Sequence, residues 1–352
     1  MLLEKLGMDV VVEQSTGNLV TVEINGEDSG YDGLTSLGVN LSDEITRILG
    51  CAFRGQRILI NPKSALINKN QIRQLRGQFG ISGVFSPRVD GRVKLEELEA
   101  KLGTSLEDFA GLVGYGAYLL DSGLDARMIN SPAVELVTLD KLLQYELLKN
   151  IEGLNLPQTW FFSEVVFQTF LAELQKGVGK LVKKGRHGSQ GRGVIPIIEG
   201  CGFHTPLSVR IAQFAYKLNP DSAQFLEPQL TERTAILLQS FVNTRPVIYE
   251  KTRLPHFGRA RLIWFGEYVG GYWALSAKPA DDKKFSNAIV NFSRSHLSQK
   301  FTPDEDKAFR SYAEKVAPLV LQRLSHYEGQ TFKYSTIVQE LLRQAVTTRP
   351  RV

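Results

Sequence analysis

The sequence predicts a mixed α+β protein of about two domains, a smaller α/β unit beside a larger strand-rich core. Length is the first reason: 352 residues, at roughly 100 to 200 per domain, can bury sizeable cores without covalent staples. The second is the alternation of short apolar strands with amphipathic stretches between residues 31 and 130. The third is a change of pattern from Thr138, where two helical stretches give way to a series of strands. Hydrophobic residues make up 43% and charged residues 22%, near the norm for folded domains, which excludes wholesale disorder. Two cysteines, Cys51 and Cys201, are too few for a disulfide framework and fit a reducing cytosol. Apolar runs such as Leu112–Leu120 fall far short of a bilayer span. The chain opens with Glu4, Lys5 and Asp9 rather than a basic segment and an apolar run, so no signal peptide is expected. The expectation is a soluble, cytoplasmic protein.

Taken in order, Asp9–Glu13 and Leu19–Ile24 read as two strands joined through Ser15-Thr16-Gly17-Asn18, a turn-rich tetrapeptide. Asn25–Gly33 is too rich in Gly and Asp for a regular element. Arg57–Ile60 and Gly83–Phe85 read as strands, and Gln71–Phe79, Val93–Leu102 and Leu106–Leu120 as helices. Thr138 is placed to cap a helix running to Lys149, with Leu139, Leu142, Leu143, Leu147 and Leu148 on one face. A second helix around Ser163–Leu174 follows Pro157. Strands are then expected at Lys180–Lys184, Gly193–Ile197, Leu237–Val242, Val247–Lys251, Arg259–Phe265 and Tyr268–Ala274. Pro303-Asp304-Glu305 opens a long amphipathic helix with Phe309, Tyr312, Val316, Leu319, Val320 and Leu324 at helical spacing. A last helix, Tyr334–Ala345, leads into a basic tail.

The net charge of +5 is uneven: residues 1–128 carry 13 basic and 17 acidic side chains, the remainder 29 and 20. No run of five or six like charges occurs, so the basic half fits the phosphates of a small nucleotide as well as a polyanion.

Lys183-Lys184-Gly185-Arg186-His187-Gly188-Ser189-Gln190-Gly191-Arg192-Gly193 carries the most chemical information. A strand, a flexible glycine loop and a second strand hold basic residues and no acid. Glycines let backbone N–H groups close around phosphate oxygens, and a lysine at the strand end adds a point charge. The loop lacks the Gly-Lys-Ser/Thr ending and the following helix of a Walker A motif. On its own it also reads as a glycine hairpin with a solvated basic tip.

Its neighbours extend the pattern. Upstream stand Ile129-Asn130-Ser131-Pro132, Leu139-Asp140-Lys141 and Leu156-Pro157-Gln158-Thr159. Downstream stand Leu238-Gln239-Ser240-Phe241-Val242, Gly258-Arg259-Ala260-Arg261-Leu262-Ile263 and Phe285-Ser286-Asn287. This order resembles the ATP-grasp ligases, in particular glutathione synthetase and the ribosomal-protein glutamate ligases. The resemblance implies that Lys141 and Lys183 contact ATP phosphates under a cover formed by Gly188, Ser189, Gln190 and Gly191. It implies that Gln239, Ser240, Phe241 and Val242 form the hinge that reads the adenine edge. Arg261 would stabilise the transition state leading to an acyl phosphate, with Asn287 nearby. On the residues alone, Lys141 also reads as a solvated helix residue and Arg261 as a strand-surface partner for a carboxylate. Arg259 is a departure, since the family often has an acid two residues before the arginine.

These ligases end in a strand bearing Asp and a strand reading Glu-x-Asn that together hold Mg²⁺, and nothing of that kind follows the Pro303 helix. Gly7–Val12 and Leu19–Gly26 look like those two strands displaced to the amino terminus. The metal set is then Asp9, Glu23 and Asn25, and Met1–Leu6 is the tail of the preceding helix. The implied fold is a circularly permuted ATP-grasp core with an inserted smaller α/β domain. Residues 1–30 form the displaced strand pair, 31–130 the small substrate domain, 131–330 the core, and 331–352 a final helix and tail. Permutation requires Met1 to lie near the end of the Pro303–Tyr327 helix. The plain alternative is an amino-terminal hairpin whose Glu23 and Asn25 cap a turn.

The implied activity is ATP- and Mg²⁺-dependent joining of a small carboxylate to an amine or thiol acceptor, such as an amino acid or peptide, with release of ADP and phosphate. Self-association is common among such proteins. A non-catalytic nucleotide-binding module is the alternative, motivated by Arg259. Nucleic-acid binding ranks last, because the glycine loop and Glu-x-Asn have no role in it. Neither cysteine pairs with a histidine at a zinc-ligand spacing, and no Gly-x-Ser-x-Gly elbow marks a serine hydrolase. His187 is the one histidine in a candidate site loop, where it reads as a phosphate contact or, more simply, a solvated loop residue. Trp264, Trp273 and Tyr268 read as sheet packing rather than base stacking.

Overall fold

The computed structural model describes residues 3–26, 31–161, 181–185, 195–197, 236–280 and 297–325, apart from 39, 63, 65, 66, 88–92, 117, 120, 121, 123, 125 and 126. The expected helices at Ser163–Leu174 and Tyr334–Ala345 lie outside these residues.

Strand β1 (Lys5–Val12) and strand β2 (Leu19–Asn25) pair antiparallel around the expected turn. On its other side β1 pairs antiparallel with a strand from far along the chain, Gly258–Phe265, from Lys5↔Phe265 to Val10↔Ala260. All eight positions of β1 are buried. This corrects the expected start of the strand: Lys5 and Leu6 are strand, not a helix tail. Lysine is rarely fully buried, so Lys5 in the sequence does not announce a strand covered on both faces.

Between β2 and the core lies the small α/β unit. Its elements are α1 (Tyr31–Ser36), α2 (Leu41–Ala52), β3 (Arg57–Ile60), α3 (Lys69–Phe79), β4 (Ser82–Phe85), α4 (Leu95–Leu102), β5 (Gly111–Val113) and β6 (Met128–Ile129). The four strands are all parallel, in the order β4-β3-β5-β6. Helix α3 is set by a capping box, Asn68 accepting from the Gln71 backbone while the Gln71 side chain reaches back. The expected helix Leu106–Leu120 is replaced by one 3₁₀ turn at Leu106–Asp108 and by β5. The physical reason is close packing: a Cβ on Gly111 would stand 2.8 Å from the Phe53 ring, so the glycine lets this short buried strand approach α2.

The core continues with α5 (Pro132–Leu139) and α6 (Lys141–Leu148). The single helix capped by Thr138 is thereby corrected. Ser131 and Pro132 start α5, and the Asp140 carboxylate accepts from Leu142 N and Leu143 N, both at 3.1 Å, to start α6. Strands β7 (Thr159–Phe161), β8 (Leu181–Gly185), β9 (Ile195–Ile197) and β10 (Ile236–Ser240) form an antiparallel sheet in the order β7-β10-β8-β9. After a two-stranded ribbon, β11 (Val247–Ile248) with β12 (Pro255–His256), come β13 (Gly258–Phe265), β14 (Tyr268–Leu275), β15 (Leu297–Gln299) and α7 (Pro303–Ser325). The largest sheet has the order β15-β14-β13-β1-β2.

That sheet separates two cores. One face carries Leu6, Met8, Val10, Ile24, Leu262 and Trp273 against α5, α6 and α7. The other carries Ile263, Phe265, Tyr272 and Ala274 against Leu34, Leu41, Ile45, Ile58 and Ile60 of the small unit. Trp273 meets Phe309 of α7 edge-on at 5.3 Å, and Phe301 lies 4.6 Å from Phe309. No helix among the described residues is long and apolar enough to cross a membrane.

Phe309 is buried in the aromatic cluster, whereas Lys307 of the same helix is exposed. Phe309→Ala is expected to lower stability by about 3–5 kcal/mol, and Lys307→Ala by less than about 0.5 kcal/mol. Urea unfolding midpoints of the two variants check this.

Candidate functional site

The register of the large sheet builds a polar row. Glu23 stands opposite Asp9, Asp9 opposite Arg261, and Arg261 opposite Tyr272. Directly paired residues point to one face, here the face turned to the small α/β unit. The β1–β2 pairing shifts register between Asp9 and Val10. The shift lets Glu23 share Asp9's face while Thr21 turns to the opposite core, where its hydroxyl meets Tyr312 Oη at 2.7 Å.

Asp9 has no solvent exposure. Arg261 grips it as a fork, Nε donating to Oδ1 at 2.6 Å and Nη2 to Oδ2 at 2.7 Å. Arg259, two residues earlier and therefore on the same face, places Nη1 2.9 Å from Oδ2. Burial alone would raise the Asp9 pKa, but the two guanidinium groups outweigh it and hold the carboxylate below its ordinary value. Burial lowers the pKa of Arg259, with Asp9 opposing, whereas the Asp9 charge and hydrogen bonds raise that of Arg261 despite its burial. Tyr272 is pushed up mainly by burial. Its ring lies under α1, where a Cβ on Gly33 would stand 1.9 Å from the phenol carbon. At the other end of the row Lys141, the first residue of α6, pairs with Glu23 at 2.9 Å.

Asn130 links this region to the small unit. It holds φ 57°, an uncommon left-handed setting that asparagine tolerates. Its side chain accepts from Lys5 N at 2.6 Å and donates to Lys5 O at 3.0 Å, as a neighbouring strand would. The Glu4 carboxylate accepts from Ser131 N at 3.1 Å.

The expected hinge lies beside the same strand. Gln239 is buried and donates to Thr159 Oγ1 at 3.0 Å, and Ser240 N donates to the Gln158 carbonyl at 2.8 Å. Phe241 and Val242 are half-buried. Beyond them Gln14 N donates to Asn243 O and Arg245 N to Val12 O, each at 2.8 Å, tying the segment to the end of β1. Lys183 lies in β8 opposite Leu238 of β10. Gly188, Ser189, Gln190, Gly191 and Asn287 lie outside the described residues.

The structure thus brings Asp9, Glu23, Lys141 and Arg261 into one row, with Asn25 on the same strand as Glu23. Sequence reasoning saw Arg259 only as a departure and missed its grip on Asp9, although the two-residue spacing to Arg261 was the signal. It also missed Tyr272 and the Glu23–Lys141 pair.

The expected Mg²⁺ ligands do not fit a metal as they are arranged. A protein-held Mg²⁺ takes hard oxygen donors, yet both Asp9 oxygens face guanidinium groups and a Glu23 oxygen faces an ammonium. Two carboxylates stand against three cations. Of the row's buried polar atoms, Arg259 Nε, a donor, lacks a hydrogen-bond partner, while the Asn25 side chain favours the charged form of Asp9 through hydrogen bonding. Among the described residues no three His, Cys, Asp or Glu side chains form a group that could hold a metal ion.

No protein-family model and no curated protein matches the sequence. Among solved structures, the chain is similar to a RimK domain ATP-grasp protein from Sphaerobacter thermophilus at 14% identity and a TM-score of 0.32, covering 75% of this chain and 99% of that one. It is also similar to D-alanyl-alanine synthetase A from Vibrio cholerae at 10% identity and a TM-score of 0.36, covering 77% and 81%.

Asp9→Ala leaves two buried guanidinium groups without their carboxylate and is expected to lower stability by about 3–5 kcal/mol, read from urea unfolding. The wild-type pair also sets an acid dependence. Because the folded pKa of Asp9 is depressed, its contribution is complete above the unfolded value of about 3.9 and is lost as pH falls through the lower folded value. The acid-unfolding curves of wild type and Asp9→Asn should therefore converge below that range. A constant separation across it would disprove this account.

Proposed function

We propose that the protein is an ATP-dependent ligase of the ATP-grasp kind, circularly permuted, that joins a small carboxylate to an amine or thiol. The single observation that carries this reading is the amino-terminal strand pair lying beside the Arg261 strand, so that Asp9, Glu23, Arg261 and Lys141 meet in one row. The order of motifs from Asn130 to Asn287 supports it. In this reading the γ-phosphoryl group of ATP passes to a carboxylate oxygen, and ADP leaves. The amine or thiol then attacks the acyl carbon, its proton departs, and phosphate is released. Lys141, Lys183 and Arg261 bind and neutralise the moving phosphoryl charge. The Gly188–Gly191 segment has the role of phosphate cover, Gln239–Val242 that of adenine hinge, and Asn287 that of a further site residue. Residues 31–130 supply acceptor specificity. No step is routed through a metal, because the row as arranged does not fit one.

A second reading is a nucleotide-binding module without turnover. It is favoured by the fork of Arg261 on Asp9, which occupies the side chain that catalysis requires.

ADP release across a panel of carboxylates and amines separates the two readings. Lys141→Ala removes a side chain at a helix start and is expected to leave the thermal midpoint within a few degrees of wild type. It should lower turnover by about 10²–10³-fold, the scale of losing one charge-stabilising donor. Wild-type turnover in Lys141→Ala would remove Lys141 from the site. ATP binding without ADP release for every pair would favour the module.

A further inference from the structure

We propose that the row centred on Asp9 binds the polyphosphate of its nucleotide without a divalent cation, Arg259 supplying the positive charge that a metal would otherwise bring. The proposal rests on the nucleotide site described above and specifies how that site neutralises its ligand.

Charge is the first argument. Arg259, Arg261 and Lys141 face Asp9 and Glu23, three cations and two carboxylates in the row itself. A divalent cation entering it would meet repulsion, whereas a polyphosphate would meet attraction that is strengthened by partial burial. The Arg259, Arg261 and Lys141 side chains keep 16%, 13% and 13% of their exposure.

Hydrogen-bonding capacity is the second and independent argument. A guanidinium carries five N–H donors, and Asp9 draws on two nitrogens of Arg261 and one of Arg259. Among the row's buried atoms Arg259 Nε, a donor, lacks a partner. Buried unpaired donors are costly, and phosphate oxygens, which only accept, satisfy them where a cation cannot. The planar fork of arginine also matches phosphate geometry.

Position is the third. Asp9 holds both guanidinium groups on one sheet face, and cross-strand pairing fixes where they stand. Their charges are thereby gathered on one face before a ligand arrives.

Calorimetric titration of the full chain with ATP, in EDTA and in excess Mg²⁺, tests this. Wild type should bind ATP in EDTA with a dissociation constant within about threefold of that in Mg²⁺. Arg259→Gln should weaken binding in EDTA by at least tenfold, which corresponds to about 1.4 kcal/mol, while Arg259→Lys retains most of it. Thermal unfolding verifies that each variant is folded. If Arg259→Gln fails to fold, Arg259→Lys and the wild-type metal comparison decide. Wild-type binding seen only with Mg²⁺ would overturn the proposal and leave the nucleotide site standing. Binding to Arg259→Gln in EDTA as tight as to wild type would overturn the role of Arg259. No binding in either buffer would overturn the nucleotide site as well.

Discussion

A carboxylate with no solvent exposure sits on β1, between β13 and β2 of the largest sheet, and the fold depends on how it is satisfied. An isolated buried charge is prohibitively unfavourable, and the penalty is offset only when geometry and hydrogen bonding are nearly complete. Asp9 meets that condition through two arginines on the adjacent strand, three short contacts in all. The consequence is directional. A shift of one residue between β1 and β13 would turn Asp9 into the apolar core on the other face and leave both arginines unpaired. The ion cluster therefore fixes register as well as position.

Register in turn fixes everything β1 touches. With Asp9 toward the small unit, Met8 and Val10 must face α5, α6 and α7 and complete that core. Lys5 comes level with Asn130, whose amide substitutes for a strand neighbour. Val12, Glu13 and Gln14 meet the segment that follows β10. One strand near the amino terminus thus contacts the large sheet, the entry to α5 and the end of the second sheet. A hairpin appended to a finished domain would have one exposed face, and β1 has none.

Much of the strand content was legible because short apolar runs bounded by turn residues have few other uses; Arg57–Ile60 coincides with β3, and Pro303 begins α7 as its capping pattern implies. Other features were not. The run from Leu106 to Leu120 has helical length, but Gly111 serves close packing and Gly114 takes a left-handed φ of 75°, and neither is visible before the fold is known. Lys5 in a buried strand contradicts residue-type expectation, since lysine is rarely fully buried. The division of 132–148 into two helices turned on Asp140, a better cap than Thr138 because its carboxylate accepts from two backbone N–H groups at once. In the site, the residue types at Asp9, Glu23, Lys141 and Arg261 were legible through their resemblance to a known order of motifs. Their pairing was not, because strands 250 residues apart carry no sign in the sequence of which side chains will face each other.

The doubling of arginine has a physical consequence for any chemistry at this row. With one arginine on a buried carboxylate, that arginine cannot turn toward a ligand without leaving an unpaired charge behind, and the exchange would be opposed by several kcal/mol. With two, one guanidinium can keep Asp9 paired while the other engages an incoming oxygen, so the carboxylate is never abandoned. Arg259, lowered in pKa by its burial, and Arg261, raised by its fork on Asp9, are unequal partners in that exchange. The more weakly held Arg259, with one contact to Asp9 and an unpartnered Nε, is the one placed to move first.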